Sequence, residues 1–187
     1  MFTYKPFLIG RNMTGVAVTA LLCACAPQMT APSPTSKGPH LGRAAAAVDI
    51  KAWDISIPPS GAGLPAGSGS VAQGAAVYAA KCQSCHGADG AGKPADALVG
   101  GIGTLATKAP VRTVGSFWPY ATTLFDYVRR AMPTTAPMSL TNDEVYAVSA
   151  YILKLNGIVA ADAVMNAQTL PQVKMPNRDG FVDYSRK

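Results

Sequence analysis

Histidine, cysteine and charge are all scarce in this sequence. Its 187 residues include two histidines and four cysteines, and 14% are charged. The histidines, His40 and His86, lie far apart, and no second CxxC accompanies the one at Cys82 and Cys85. The four ligands of a structural zinc site are therefore missing. No βαβ pattern surrounds the CxxC, which removes the setting of a thioredoxin-type redox pair. No apolar run reaches the roughly 20 residues that a membrane-spanning helix needs. Basic residues form no block interleaved with aromatics, so the footprint of nucleic-acid binding is absent. The formal charge is +6, and setting aside Lys5 and Arg11, the cations of the first 25 residues, leaves +4. So thin a charge suits ordinary solvated surface, or mild steering toward an acidic protein.

Against that background one pentapeptide stands out, Cys82-Gln83-Ser84-Cys85-His86. CxxCH is the attachment pattern of a c-type haem. Two thiols three residues apart on a helical turn reach one porphyrin edge and form thioethers with its vinyl groups. The histidine that follows lies under the ring as proximal iron ligand. A disulfide between Cys82 and Cys85 would close a very tight loop and leave His86 without a role.

The first 25 residues read as an export signal. Lys5 and Arg11 supply the positive region, and Val16 to Ala24 is mostly apolar and small. Leu22-Cys23-Ala24-Cys25 is similar to a bacterial lipoprotein box, with Cys25 as the lipidated residue because small Ala24 precedes it. A plain signal peptide cut nearby is the other reading. Residues 26–47, rich in Pro, Ser, Thr, Gly and Ala, read as a flexible tether. Export agrees with haem attachment, which takes place outside the bacterial inner membrane.

Residues 48–70 are expected to form an N-terminal arm, extended where Trp53, Ile55 and Ile57 alternate. Ser70 and Gln73 form a capping box at the start of a helix that runs into the pentapeptide. Gly74 inside it is either a tolerated surface glycine or a point of close helix approach. Gly87 to Pro119 has little helical period. It is expected to wrap a haem edge, with Leu98, Ile102 and Leu105 on the ring and Phe117, Trp118 and Tyr120 as an aromatic cluster near the propionates. Such a loop has a weak core of its own, so haem insertion should be needed for folding. Thr123 and Asp126 are expected to cap a second helix. Arg129 and Arg130 close it, complementing the helix dipole, docking a partner or reaching a propionate.

Met132-Pro133 follows, placing a thioether on a loop where it can close the sixth position of iron. Met138, Met165 and Met175 are rivals on spacing alone. The last strong helix starts at Thr141, with Glu144 completing a capping box. Val145, Val148, Ile152 and Leu155 give it an apolar stripe, and Asn156-Gly157 ends it. Residues 158–187 are expected to wrap the domain or contact a partner, with a short helix around Ala161 to Ala167.

Residues 71–157, with Gly74, Cys82-x-x-Cys85-His86, Met132-Pro133 and Leu140-Thr141-Asn142-Asp143-Glu144, resemble class I c-type cytochromes. The resemblance implies a small all-α fold with long haem-wrapping loops, its first and last helices crossing near the cofactor. Gly74 and Tyr78 would then meet Ala147 to Tyr151, and His86 and Met132 would be the proximal and distal iron ligands. Ala52-Trp53-Asp54-Ile55, Gly63-Leu64-Pro65, residues 113–121, Tyr127 to Pro133 and Met175 to Phe181 are similar to monohaem cytochromes of sulfite dehydrogenases and sulfur-compound oxidation. That implies one haem c and a molybdenum-cofactor sulfite dehydrogenase subunit as electron donor. A downstream cytochrome c or oxidase would be the acceptor. The lipoprotein box is not a family feature, and Pro94 lies several residues before Gly100, away from the usual place of a histidine-supporting proline.

The expectation is a periplasmic, membrane-tethered electron carrier that is no enzyme by itself and binds no nucleic acid. A general carrier for another dehydrogenase, a haem-based sensor with an open sixth site, and a haem-free lipoprotein with a CxxC disulfide are the alternatives.

Overall fold

The computed structural model describes residues 42–182 and Tyr184. The signal peptide, the lipoprotein box with Cys23 and Cys25, His40 and residues 26–41 of the 26–47 tether lie outside the described residues. What is described falls almost wholly within one compact unit, Ala45–Lys187.

Six α-helices and a two-stranded sheet make up this unit: α1 Ala47–Trp53, β1 Ser68–Ser70, α2 Val71–Lys81, α3 Gln83–His86, α4 Val114–Phe117, α5 Ala121–Ala131, α6 Asn142–Leu155 and β2 Val164–Asn166. A 3-10 turn follows at Leu170–Gln172. Among the described residues no helix is long and apolar enough to cross a membrane.

Two helices start where their capping boxes predict. Ser70 Oγ accepts from the Gln73 N–H while Gln73 returns a bond to the Ser70 N–H, and Thr141 and Glu144 do the same for α6. Each box satisfies donors that a helix start leaves unpaired. The apolar stripe of α6 turns inward: Val145 and Val148 are fully buried and Ile152 nearly so.

The fold is held chiefly by α2 packed on α6. A Cβ at Gly74 would run into the Ala147 carbonyl and the Tyr151 side chain, and one at Gly69 would strike the Ala147 backbone. Glycine is used there so that one backbone can lie directly on another. Above this crossing the Tyr78 and Tyr151 rings sit 5.2 Å apart. α5 packs on the same helix, with Phe125 and Tyr146 at 4.5 Å.

Four local expectations are corrected. The arm, expected to be extended where Trp53, Ile55 and Ile57 alternate, starts instead as a helix that ends at Trp53, and residues 54–58 have no regular structure. Among them only Ile57 is buried, its N–H donating to Asp126 at 3.2 Å. α5 begins at Ala121 with Tyr120 at its N-cap and no side-chain cap, so Thr123 and Asp126 lie inside the helix, where the Asp126 carboxylate is engaged by Ile57 and Arg130. The segment before it contains α4, capped by Thr113 and Ser116. The Ala161–Ala167 stretch is no helix: Val164, Met165 and Asn166 pair antiparallel with Ser70, Gly69 and Ser68. Met165 of this strand and, beyond it, Leu170, Val173 and Met175 enter the core, so this part of the tail packs on the domain.

Candidate haem site

Cys82 ends α2 and begins α3, and its carbonyl accepts from the Cys85 and His86 N–H groups at 3.1 and 3.0 Å. This tight turn presents both thiols, which are free, and the imidazole on one short stretch. Burial pushes the Cys82 thiol up to about 11, with Lys81 opposing and Cys85 adding. The thiol therefore stays protonated at neutral pH.

The loop after His86 folds back on the pentapeptide. Gly92 N–H donates to the His86 carbonyl and Ala95 N–H to that of Cys85, both at 2.9 Å. These bonds bring the Asp96 carbonyl 2.8 Å from His86 Nδ1. A carbonyl oxygen only accepts, so Nδ1 carries the proton and Nε2 keeps its lone pair free for a metal. The support expected from a proline comes from this main-chain oxygen instead, with Pro94 two residues upstream. Tyr78 Oη donates to the Gly87 carbonyl at 2.8 Å. Burial first, then Cys82, Tyr151 and Asp89, raises the Tyr78 phenol to about 12, so it remains a neutral donor. Asn156, at the end of α6, holds the Leu98 carbonyl at 3.1 Å.

A cavity of about 410 Å³ lies between this loop and the helices. Cys82, Cys85 and His86 line it, and so does Met132, which follows the last turn of α5. Met138 is 60% exposed, while Met165 and Met175 are buried in the core, and none of the three lines the cavity. Leu98, Val114, Leu124, Val128, Val148 and Ile152 give it apolar walls, and Trp118 joins them. Ile102 and Leu105, expected on the ring, are not among the lining residues, and Ile102 is half exposed.

The expected aromatic cluster is dispersed. Phe117 meets Phe181 at 5.2 Å, Trp118 meets Tyr127 edge-on at 5.5 Å, and Tyr120 lies under Arg178. Arg130 pairs with Asp126 and Arg129 stays away from the cavity. The arginine that lines it is Arg112, stacked on Phe117 at 5.4 Å. No motif flagged Arg112 or the Asp96 carbonyl. Arg112 lies in irregular chain, and a main-chain oxygen carries no side-chain signature.

These residues fit a covalently bound haem. Two free thiols, an imidazole whose free nitrogen is Nε2 and a thioether open into one mainly apolar cavity, with the cations Lys81 and Arg112 also lining it. Thiol, imidazole and thioether are the donor set of a His/Met haem c.

Such a fold and site define a small haem-binding domain of the electron-transfer class. The cytochrome c family model matches residues 71–156. No curated protein matches the chain. Among solved structures, the chain is similar to one chain of the sulfane dehydrogenase SoxCD from Paracoccus pantotrophus. The identity is 43% over 79% of this chain and 73% of that one, with a TM-score of 0.72. The chain belongs to the class I c-type cytochromes. It carries haem c and is an electron-transfer protein, not an enzyme by itself.

Proposed function

We propose that this cytochrome takes single electrons from a molybdenum-cofactor dehydrogenase that oxidises sulfite or a related sulfur compound. It passes them to a downstream cytochrome c or oxidase. Cys82 and Cys85 would hold the haem covalently, and His86 and Met132 would supply an imidazole and a thioether to its iron. The haem, when bound, supplies a one-electron couple, and a thioether ligand raises its potential. The chain's own residues orient His86 through the Asp96 carbonyl, limit water with the apolar walls, and place Arg112 where it could meet a haem propionate. Cys25, outside the described residues, is the proposed lipidation site of a periplasmic, membrane-tethered form.

The observation that carries this reading is the convergence of Cys82, Cys85, His86 and Met132 on one cavity. With an imidazole and a thioether both available to the iron, the site would favour electron transfer over ligand sensing. The similarity to a sulfane dehydrogenase chain supports the sulfur-oxidising donor. A pyridine haemochrome assay on the exported protein is expected to give one haem c per chain. Met132→Ala should abolish the thioether charge-transfer band of the ferric protein, lower its potential and open the ferrous form to carbon monoxide. Persistence of the band would move the distal role to another methionine. For the donor, reduction of the ferric protein by sulfite or a related sulfur substrate should require the purified molybdenum subunit. No reduction in its presence would sink that partner.

A further inference from the structure

Helix α1 is the part of the unit that neither the core nor the haem site uses. It buries no residue, and Trp53 is 86%, Val48 72% and Ile50 54% exposed. It is not a loose chain end, because Ile57, four residues on, is buried and bonded to Asp126 of α5. An exposed tryptophan beside exposed isoleucine is the composition of an interface anchor, not of ordinary surface.

One face of α1 is a shallow groove lined by Ala45, Asp49, Ile50, Trp53 and Asp54. The two charges that line it are acidic, with Lys51 of the same helix outside the lining, although the chain as a whole carries +6. That local reversal of sign selects the occupant. An anionic lipid surface is repelled by the two carboxylates. A second copy, docked through the same face about a two-fold axis, would bring one acidic face onto another, with Asp49 and Asp54 of each copy and no lining cation to answer them. A protein groove with an apolar floor and a rim of lysine or arginine satisfies both the rings and the charges.

We propose that α1 is a docking arm that seats Ile50 and Trp53 in such a groove on the dehydrogenase subunit, with Asp49 and Asp54 meeting its basic rim. The identity of that partner rests on the function proposed above. None of the α1 residues lines the haem cavity. The arm therefore adds affinity without covering the route of the electron, and a second point of attachment raises the effective concentration of the haem domain at its donor.

The test uses the full-length holoprotein and the purified molybdenum subunit, with binding followed by calorimetry. Trp53→Ala is expected to weaken binding about tenfold or more. Asp49→Lys with Asp54→Lys should slow association and invert its salt dependence. Haem spectrum and melting temperature should stay as in the wild type, since every altered side chain is exposed. Wild-type affinity in Trp53→Ala overturns the arm while leaving the partner assignment intact. Failure of the wild type itself to bind overturns both. If Trp53→Ala leaves the complex unchanged but lowers binding to phosphatidylglycerol vesicles, or dissociates a dimer in sedimentation, the face belongs to a membrane or a second copy and the proposal falls.

Discussion

At the scale of single residues, the site depends on which atoms are left free. His86 gives its Nδ1 proton to a main-chain oxygen, so its metal-facing nitrogen is decided by loop geometry. Tyr78 acts one step further out. Its hydroxyl closes the Gly87 carbonyl at the point where the loop leaves α3. Tyr78→Phe keeps the ring against Tyr151 and leaves that carbonyl only the longer bond from the Gly90 N–H at 3.3 Å, so a loss of about 1 kcal/mol is expected in denaturant unfolding. The absorption spectrum should shift little, because no iron ligand moves. CxxCH and Met132-Pro133 were legible as candidate attachment and ligation residues because that chemistry needs particular side chains. The Asp96 carbonyl was not, since any residue there offers the same oxygen.

At the scale of elements, the α2–α6 crossing decides the architecture. Gly74→Ala forces a methyl group into the Ala147 backbone, and neither helix can yield without dragging the haem-bearing end of α2. A destabilisation of about 2–3 kcal/mol is expected in chemical unfolding, with partial loss of haem incorporation. The same two helices are joined at the surface by Lys81 and Glu144 at 2.8 Å. The hydrogen bond from Lys81, reinforced by the Thr141 N–H, holds the Glu144 carboxyl below its ordinary value. The unfolded chain therefore binds this proton more readily than the folded one. The contribution is present above the ordinary glutamate value and is lost as pH falls through the lower folded value. Urea midpoints measured from pH 6 to pH 3 should accordingly fall less steeply in Glu144→Gln than in the wild type. The difference should be small, because the Lys81 side chain is 37% exposed. The periodicities of α2 and α6 marked both helices in advance. The caps of α5 were misread because Thr123 and Asp126 fit a local motif, whereas Asp126 is claimed by Ile57, 69 residues away.

At the scale of the whole molecule, the domain is closed by chain outside the family segment. Residues after Gly157 add a strand to the edge of β1, then bury Leu170 completely, with Met165, Val173 and Met175 nearly so. Leu170→Ala should cost about 2–5 kcal/mol in thermal or urea unfolding of the holoprotein. A change within experimental error would mean that the tail decorates the domain without sealing it. The tail looked irregular in sequence because its apolar residues follow no helical or strand period. They are spaced to meet a surface already formed by α5, α6 and β1.

From the order of residues alone one can read α2 and α6 with their capping boxes, the covalent attachment pattern and a segment that offers a thioether. Each of these rests on side-chain chemistry within a few positions of chain. The pairing of β1 with β2, the tautomer of His86, the position of Arg112 at the cavity and the exposure of α1 required the folded chain. They depend on groups brought together across long separations, where backbone hydrogen bonds and burial outweigh local preference. The Met132 thioether illustrates both: its chemistry was visible in the sequence, and only the packing of α5 and α6 brings it to the cavity that His86 also lines.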